Sequence, residues 1–428
     1  MPRIPHLAIV SLLVGTAYGQ QSARHTTGFV DQAQVSGETR LDWIFSIANQ
    51  SPAQVPDGLL DNYDSSGQTY QRFVPENYRD DKTWPVLLYV SPGKRGSGWN
   101  VWKSVCQRHG VLFVGPHNAG NNCPGPRRAR IVLDALDDMR RNYRTDPDRT
   151  YIAGFSGGGR VACQMAFALP ELFGGVVPLC AAGELRSESW LRQRVIDRIS
   201  LALVTGENDF NRGEVERFRG PLLSEVGVRT RVWVVPGLGH RPAGPQTLEQ
   251  VFQWLETATA ARQNLAKQHP ASRIDGHAAP TRMQTAQALL NEARNRMKSP
   301  ATLYSGLMIM KGIMARWPDL AAARTARATL LEMEQRPERP WDAADIAEQR
   351  RFLIARARGL DAYATGALPQ QYQAQRPEML DAAIQLWNVV LRDGQDAQAT
   401  QQARRRLPLL KQQRQSLKPT SNPPNKNR

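Results

Sequence analysis

The chain has 428 residues, of which 41% are hydrophobic and 22% are charged, and its formal net charge is +16. This length is enough for about two or three domains with buried cores, and the composition argues against wholesale disorder, collagen and polytopic membrane architecture. Four cysteines are too few for a dense disulfide scaffold.

The N-terminal segment has the pattern of a secretory signal peptide. An apolar run follows a short polar region, and Ala17 and Gly19 put small residues at the −3 and −1 positions of a cleavage site. The run is shorter than the ~20 residues that a spanning helix needs, so residues 1–19 are predicted to be cleaved from a secreted or periplasmic protein. Export permits disulfides, with Cys106 and Cys123 as the preferred pair and four free thiols as the alternative.

Beyond an N-terminal extension at 20–69, residues 70–260 alternate short apolar runs with helical patterns. Several runs are continuously apolar, as strands covered on both faces must be. The alternation predicts an α/β fold with a doubly wound, mostly parallel sheet. The predicted strands are 70–74, 85–90, 111–115, 150–155, 176–179, 200–205 and 229–235, and the predicted helices are 98–108, 127–142, 158–169 and 213–226.

The composition changes after residue 261, where Gln, Ala and Arg dominate. We predict a linker at 261–284, an all-α domain at 285–416 and a disordered basic tail at 417–428. The predicted helices are 285–298, 302–315, 320–334, 343–359, 379–391 and 396–415, with Pro408 kinking or breaking the last of them.

A weak internal repeat is visible in this second half. Residues 316–330 match residues 393–407, and each copy runs from the end of a helix through a polar turn into an Ala-rich helix. The pattern resembles tetratricopeptide-type helical hairpins, although the period differs from theirs. An irregular helical bundle is the alternative interpretation.

The positive charge is concentrated in the same half. From residue 260 onward the chain has 27 Lys and Arg against 14 Asp and Glu, and no acid lies near residues 404–406, Lys411, Arg414 and Lys418 in the sequence. One interpretation is a surface that binds an anionic polymer or a membrane surface, and the other is a solvated helix face. Nucleic acid is not expected as a partner, because no recognised binding motif is present.

The most informative motif is Gly-Phe-Ser-Gly-Gly at 154–158, between a predicted strand and a predicted helix. Gly-x-Ser-x-Gly in that setting is typical of a nucleophile elbow, a sharp turn that exposes a strained serine. Gly154 and Gly158 relieve the crowding around the turn. Ser156 is therefore the candidate nucleophile, and a glycine-rich turn before a helix is the alternative.

A serine nucleophile needs a base, and the base needs an orienting acid, in the chain order Ser, Asp or Glu, His. The strand predicted at 200–205 ends in a loop with Glu207 and Asp209, and the next strand is followed by His240. We expect Asp209 to orient His240, with Glu207 as the rival acid in the same loop.

The tetrahedral oxyanion needs two backbone donors. One is expected from Gly157, the residue after the nucleophile. The other is expected from the loop after strand 85–90, where Pro92 has no N–H, so that Gly93 or Lys94 is the candidate.

Residues 70–257 resemble secreted α/β-hydrolases of the polyhydroxybutyrate depolymerase and feruloyl or acetylxylan esterase type. The resemblance rests on Tyr-Gln-Arg-Phe-Val-Pro at 70–75, Asp-Arg-Thr-Tyr-Ile-Ala-Gly-Phe-Ser-Gly-Gly-Gly at 148–159, Gly-Glu-Asn-Asp at 206–209 and Gly-His at 239–240. It implies ester hydrolysis through an acyl-enzyme, without a metal or organic cofactor. Members of that family carry His-Gly where this chain has Pro92 and Gly93.

The sequence therefore predicts an exported serine esterase with the α/β-hydrolase fold and a helical C-terminal domain, acting on an ester that can be polymeric. No integral membrane segment is expected after signal cleavage. We expect a chain truncated near Ala261 to hydrolyse a small ester, unless the helices complete the cleft. The alternatives are a serine peptidase of the prolyl-oligopeptidase type and an inactive hydrolase-fold binding or scaffold protein.

Overall fold

The structure is a computed structural model that describes residues 26–47, 57–60 and 62–417. The predicted signal peptide lies outside the described residues, as does the predicted tail beyond Leu417. Eight strands form one sheet. They are β1 (Gly28–Gln34), β2 (Thr69–Val74), β3 (Trp84–Val90), β4 (Leu112–Pro116), β5 (Thr145–Phe155), β6 (Gly175–Leu179), β7 (Ser200–Gly206) and β8 (Arg229–Val235).

The strands follow the order β1-β2-β4-β3-β5-β6-β7-β8 across the sheet. Strand β2 runs antiparallel to its neighbours β1 and β4, and every pair from β4 to β8 is parallel. This order, with its one reversed strand, is that of the α/β-hydrolase fold, so the predicted fold class is confirmed. The carboxyl ends of β5, β7 and β8 therefore meet at one edge of the sheet, where open α/β sheets bind ligands.

Helices cover both faces of this sheet. Along the fully buried strand β3, Val86, Leu88 and Val90 join the core on one face, while Leu87 and Tyr89 join the core on the other. This is the period-2 alternation of a strand buried on both sides. The helices of this part are α1 (Trp99–His109), α2 (Gly125–Asn142), α3 (Gly157–Ala168), α4 (Ser189–Arg198), α5 (Gly220–Glu225), α6 (Pro245–Glu256) and α7 (Thr259–Gln268).

Strand β1 lies inside the segment predicted as an N-terminal extension, so that segment contributes to the sheet. It pairs with β2 from Gly28 opposite Val74 to Gln34 opposite Thr69. Its sequence is Gly-Phe-Val-Asp-Gln-Ala-Gln, in which the apolar residues do not alternate regularly with polar ones. The apolar pattern therefore does not reveal this edge strand.

The C-terminal region contains two groups of three helices. The helices are α8 (Arg282–Arg296), α9 (Pro300–Arg316), α10 (Ala321–Glu334), α11 (Asp342–Thr365), α12 (Arg376–Asp393) and α13 (Ala397–Ser416). Within each group the helices pack on one another around a separate apolar cluster. The two copies of the sequence repeat fall at equivalent places, the α9–α10 turn and the α12–α13 turn. A relation to tetratricopeptide hairpins stays a prediction.

These helices share a core with the α/β part rather than standing apart from it. Met308 and Phe352 belong to the same buried cluster as α3 and α4. Arg316, at the end of α9, is buried and pairs with Glu171 at 2.6 Å and with Asp42 at 3.2 Å. Packing of this kind makes the two parts one structural unit at this face of the sheet.

The segment predicted as a linker, 261–284, is not a linker over its first part, because residues 261–268 belong to α7. Arg262 on that helix is buried and donates to the Asp148 carbonyl at 2.7 Å. Further along, Arg273 forms an ion pair with the Asp148 carboxylate, and Gly276 lies against Thr145. Because these contacts are made by polar residues and a glycine, an analysis of apolar periodicity does not detect them.

Helix α13 continues through Pro408, so the predicted break there is wrong, whereas a kink stays a prediction. The buried Leu407 and Leu410, close to Pro408, belong to the apolar cluster that α13 shares with α11 and α12. The preferred disulfide does not form, since all four cysteines are free, with Cys106 buried and Cys123 half-buried.

Some of the basic residues near the C-terminus meet acids that are distant in sequence. Arg406 binds the carboxylate of Asp361, and Arg414 binds that of Asp381 at 3.0 Å. The uncompensated positive surface is therefore smaller than the sequence suggests. Among the described helices, none combines the length and the apolar character needed to cross a bilayer.

Candidate active site

Ser156 occupies a strained turn between β5 and α3. Its φ is 52° and its ψ is −121°, which places a non-glycine residue in the positive-φ region. A Cβ on Gly158 would lie 2.0 Å from the Val90 carbonyl oxygen, and one on Gly154 would lie 2.4 Å from the carbonyl carbon of Gly158. Only glycine fits at these two positions, as the motif predicted, and the turn presents the Ser156 hydroxyl at the sheet edge.

His240 lies in the loop after β8 and reaches the serine. Its Nε2 is 3.0 Å from Ser156 Oγ, and its Nδ1 is 2.8 Å from Asp209 Oδ1. Because an ionised carboxylate only accepts hydrogen bonds, Nδ1 carries the ring proton and Nε2 is free to accept from the hydroxyl. This arrangement suits general-base activation of Ser156.

Asp209 is buried, and protein donors satisfy its carboxylate. Thr205 Oγ1 donates to Oδ2 at 2.7 Å, and the Asn211 N–H donates to Oδ1 at 3.0 Å. Glu207 turns away, and its carboxylate accepts from the Gly237 N–H at 2.9 Å. Of the two acids in this loop, Asp209 is the one that contacts His240.

Two aromatic rings flank the histidine. The Phe210 ring stacks on the imidazole with centroids 4.0 Å apart, and the Phe155 ring lies tilted at 5.0 Å. Phe210 is 44% exposed although it is large and apolar. Sequence analysis missed it, and its only signal was its position directly after Asp209. The stack restricts the ring of His240 and leaves an apolar surface beside the site.

Cys180 lies behind the acid. It has a positive φ of 53°, and burial first, then the Asp209 charge, raises the pKa of its thiol to about 12. Its Sγ, an Asp209 oxygen and a His240 nitrogen lie within 4.8 Å of one another. Thiolate, carboxylate and imidazole groups can all bind Zn²⁺, but here the acid and the imidazole are already bonded to each other. Sequence analysis considered this cysteine only for disulfides.

The three candidates for oxyanion donors differ in their surroundings. Gly157 begins α3, and a Cβ on it would lie 2.1 Å from Asn121 Oδ1. The N–H of Gly93 already donates to Ser91 Oγ at 3.1 Å. Lys94 uses its carbonyl, which accepts from the Asn118 N–H at 2.6 Å. Of the two, the N–H of Lys94 stays the candidate for the second donor, because that of Gly93 is already bonded.

The buried guanidinium of Arg128 contacts the loop after β3, which carries Gly93 and Lys94. Arg128 on α2 donates from Nη2 to the Ser91 carbonyl at 3.2 Å, and burial lowers its pKa. Its Nε has no hydrogen-bond partner among the described residues. Sequence analysis missed Arg128, since nothing in its neighbourhood in the chain distinguishes it from Arg127.

A groove of ≈ 560 Å³ adjoins the elbow through Asn121. It is open to solvent, and its walls come from the loop after β3, the loop after β4 and the start of α2. The lining includes Tyr63, Pro92, Lys94, Asn118, Asn121 and Arg127. A lining of mixed polar and apolar character is suited to an acyl or alcohol group that itself carries polar atoms.

Comparisons with known proteins give short matches. No family profile matches the chain. A poly(3-hydroxybutyrate) depolymerase from Ralstonia pickettii is 31% identical over 102 residues, covering 20% of this chain and 21% of that protein. A poly(3-hydroxyalkanoate) depolymerase C from Paucimonas lemoignei is 27% identical over 92 residues, covering 18% and 22%. The chain thus spans about a fifth of the length of these curated relatives.

Among solved structures, the S-formylglutathione hydrolase of Staphylococcus aureus is 17% identical with a TM-score of 0.36. The match covers 44% of this chain and 92% of that one. Likeness at this level says nothing about activity, and the fold assignment above rests on the strand order.

Proposed function

We propose that this protein is a serine hydrolase that cleaves carboxylic esters through Ser156, His240 and Asp209. The observation that carries the proposal is the continuous line of hydrogen bonds from Ser156 Oγ to His240 and on to Asp209, at 3.0 and 2.8 Å. The loops after β5, β7 and β8 bring the three side chains together in the order nucleophile, base and orienting acid that acyl transfer requires. The short matches to two polyester depolymerases are consistent with an ester as the substrate.

In the proposed reaction, Ser156 attacks the ester carbonyl while His240 Nε2 takes its proton. The imidazolium, stabilised by Asp209, then passes that proton to the departing alcohol, which leaves an acyl-enzyme. Water repeats the sequence and releases the acid. The N–H groups of Gly157 and Lys94 are proposed to stabilise the oxyanion.

The substrate is proposed to be an ester whose acyl or alcohol part is polar and can be polymeric. The groove beside Asn121 is open and carries Lys94 and Arg127 on its wall. An open site of this kind accepts a chain that continues beyond the scissile bond. Export, which rests on the pattern in residues 1–19, is part of the same proposal because a polymer is degraded outside the cell.

Substitution of the nucleophile tests the proposal. Ser156→Ala should lower kcat on a soluble ester by a factor on the order of 10⁶, because the three groups act as a unit. A fluorophosphonate probe should label the wild-type chain at Ser156, and the matched surface variant Ser416→Ala, at the exposed end of α13, should keep both labelling and activity. Full turnover by Ser156→Ala would disprove the mechanism, and a film of poly(3-hydroxybutyrate) tests the polymeric substrate separately.

A further inference from the structure

The helical region makes a second kind of contact with the α/β part, close to the loop that carries Asp209. Residues 214–225, named here the post-acid segment, form a π-helical turn (Glu214–Arg219) followed by α5. π-Helical turns are rare and concentrate at functional sites. Helix α11 packs along this segment.

The contact between α11 and the post-acid segment is close and specific. A Cβ on Gly359 would lie 2.9 Å from the Phe218 ring, so the helix approaches as near as glycine allows. One turn later, the Tyr363 ring stacks on Phe218 with centroids 5.7 Å apart. Arg358 pairs with Glu225. This set of contacts is named here the α11 clamp.

The loop after α11 adds a contact beside Phe218. Arg217 Nη2 donates to the Ala367 carbonyl at 2.6 Å, and Gly366 lies directly against the same guanidinium. The helical region therefore contacts the post-acid segment both in its π-helical turn and at the end of α5.

Two connections lead from the post-acid segment to the proposed catalytic groups. The Val215 N–H donates to the Asn211 carbonyl at 3.2 Å, and the Asn211 N–H in turn holds Asp209 Oδ1 at 3.0 Å. Glu214, which is buried, binds Arg160 through two hydrogen bonds of 2.8 and 2.6 Å.

Arg160 belongs to the helix that starts at the nucleophile. Its N–H donates to the Ser156 carbonyl at 3.2 Å, and its Nη1 also reaches the Ala182 carbonyl beyond β6. The pair with Glu214 therefore joins the nucleophile helix to the segment after the acid. A rigid scaffold is needed here, because a shift of about 1 Å in a catalytic group costs up to ~10²-fold in rate.

We propose that the C-terminal helical region is a working part of the catalytic site: α11 holds the post-acid segment and, through Glu214 and Asn211, fixes Asp209 relative to Ser156. This rests on the proposed esterase function and assigns Phe218 and Tyr363 as positioning residues.

The test compares clamp variants with a variant of the same helix that contacts another partner. In the full chain, Phe218→Ala and Tyr363→Ala should each lower kcat on a small soluble ester by ~10-fold or more, while KM changes by less than ~2-fold. Tyr363→Phe keeps the stacked ring and should restore kcat. Phe218→Leu and Tyr363→Leu, which keep volume but remove the stack, take the place of the alanine variants if those do not fold.

The control is Glu348→Gln, on the same helix. Glu348 binds the buried Arg192 of α4 through two bonds of 2.7 Å. Its loss should lower Tm at least as much as the clamp variants do, yet leave kcat within ~2-fold, because α4 carries none of the proposed catalytic groups.

The two proposals fail in different ways. Folded clamp variants with wild-type kcat, or an equal loss of kcat in the control, would overturn the positioning role while leaving the esterase intact. A wild-type chain that neither hydrolyses esters nor reacts with the fluorophosphonate probe would overturn both.

Discussion

The two faces of the sheet are covered in different ways. On one face α1 and α6 pack through a compact apolar cluster. On the other, α3 and α4 lie beneath a second layer built from the C-terminal helices, which is also attached by ion pairs. Arg316 is only 2% exposed and meets two acids. The comparison indicates that the second layer has a defined docking position, because buried charges tolerate only one arrangement.

The largest effect is expected from removal of the second layer, the C-terminal helices. A chain ending after Gln268 would expose Phe45 and Trp190 and leave Glu171 without Arg316. We expect it to aggregate or to lack a cooperative thermal transition, measured by circular dichroism. The contacts thus argue against the expectation that a chain truncated near residue 261 keeps its activity. A folded, monomeric and active truncated chain would show the two faces to be independent.

A second test concerns the candidate site at the carboxyl edge of the sheet, which the helices on both faces support. Asp209→Asn should lower kcat by up to ~10⁴-fold, because the imidazole loses its tautomer and charge support. Glu207→Gln, which removes only a bond to the Gly237 N–H, should have a much smaller effect. Steady-state kinetics on one soluble ester measures both, and the reverse ranking would transfer the orienting role to Glu207.

A third test isolates one buried charge. Arg316→Gln removes one of the two ion-pair partners of Glu171, which keeps Arg194 at 3.1 Å, and should cost about 1.5–3 kcal/mol of unfolding free energy, measured by denaturant titration. The matched variant is Arg350→Gln, which breaks an exposed pair with Asp393 inside the helical region and should barely change the midpoint. Equal effects would mean that the docking of the second layer does not depend on buried charge.

The α/β elements and the positions of the candidate site residues could be predicted because local signals coincide there. The motif around Ser156 needs glycine at two positions for reasons that are local to the turn. Asp209 and His240 follow strands whose apolar runs are continuous, and parallel strands bring their carboxyl ends together. The choice between Asp209 and Glu207 needed the structure, because both acids lie in one loop.

The structural features that could not be predicted depend on contacts between residues that are distant in the chain. Strand β1 lies at the edge of the sheet, and its apolar residues do not alternate regularly, so periodicity does not detect it. Arg262 and Arg128 look like surface residues in sequence, yet both are buried and bonded to backbone carbonyls. The α11 clamp likewise depends on Gly359 and Phe218, which carry no shared sequence signal.

The contact of Asp42 with Arg316 and Trp317 has a consequence for biogenesis. It joins residues 274 and 275 positions apart, and contacts of such separation form late. During synthesis, Arg316 and Trp317 emerge only after about three quarters of the chain has left the ribosome. Until then this contact cannot form, and the apolar surface that the C-terminal helices cover stays accessible to chaperones.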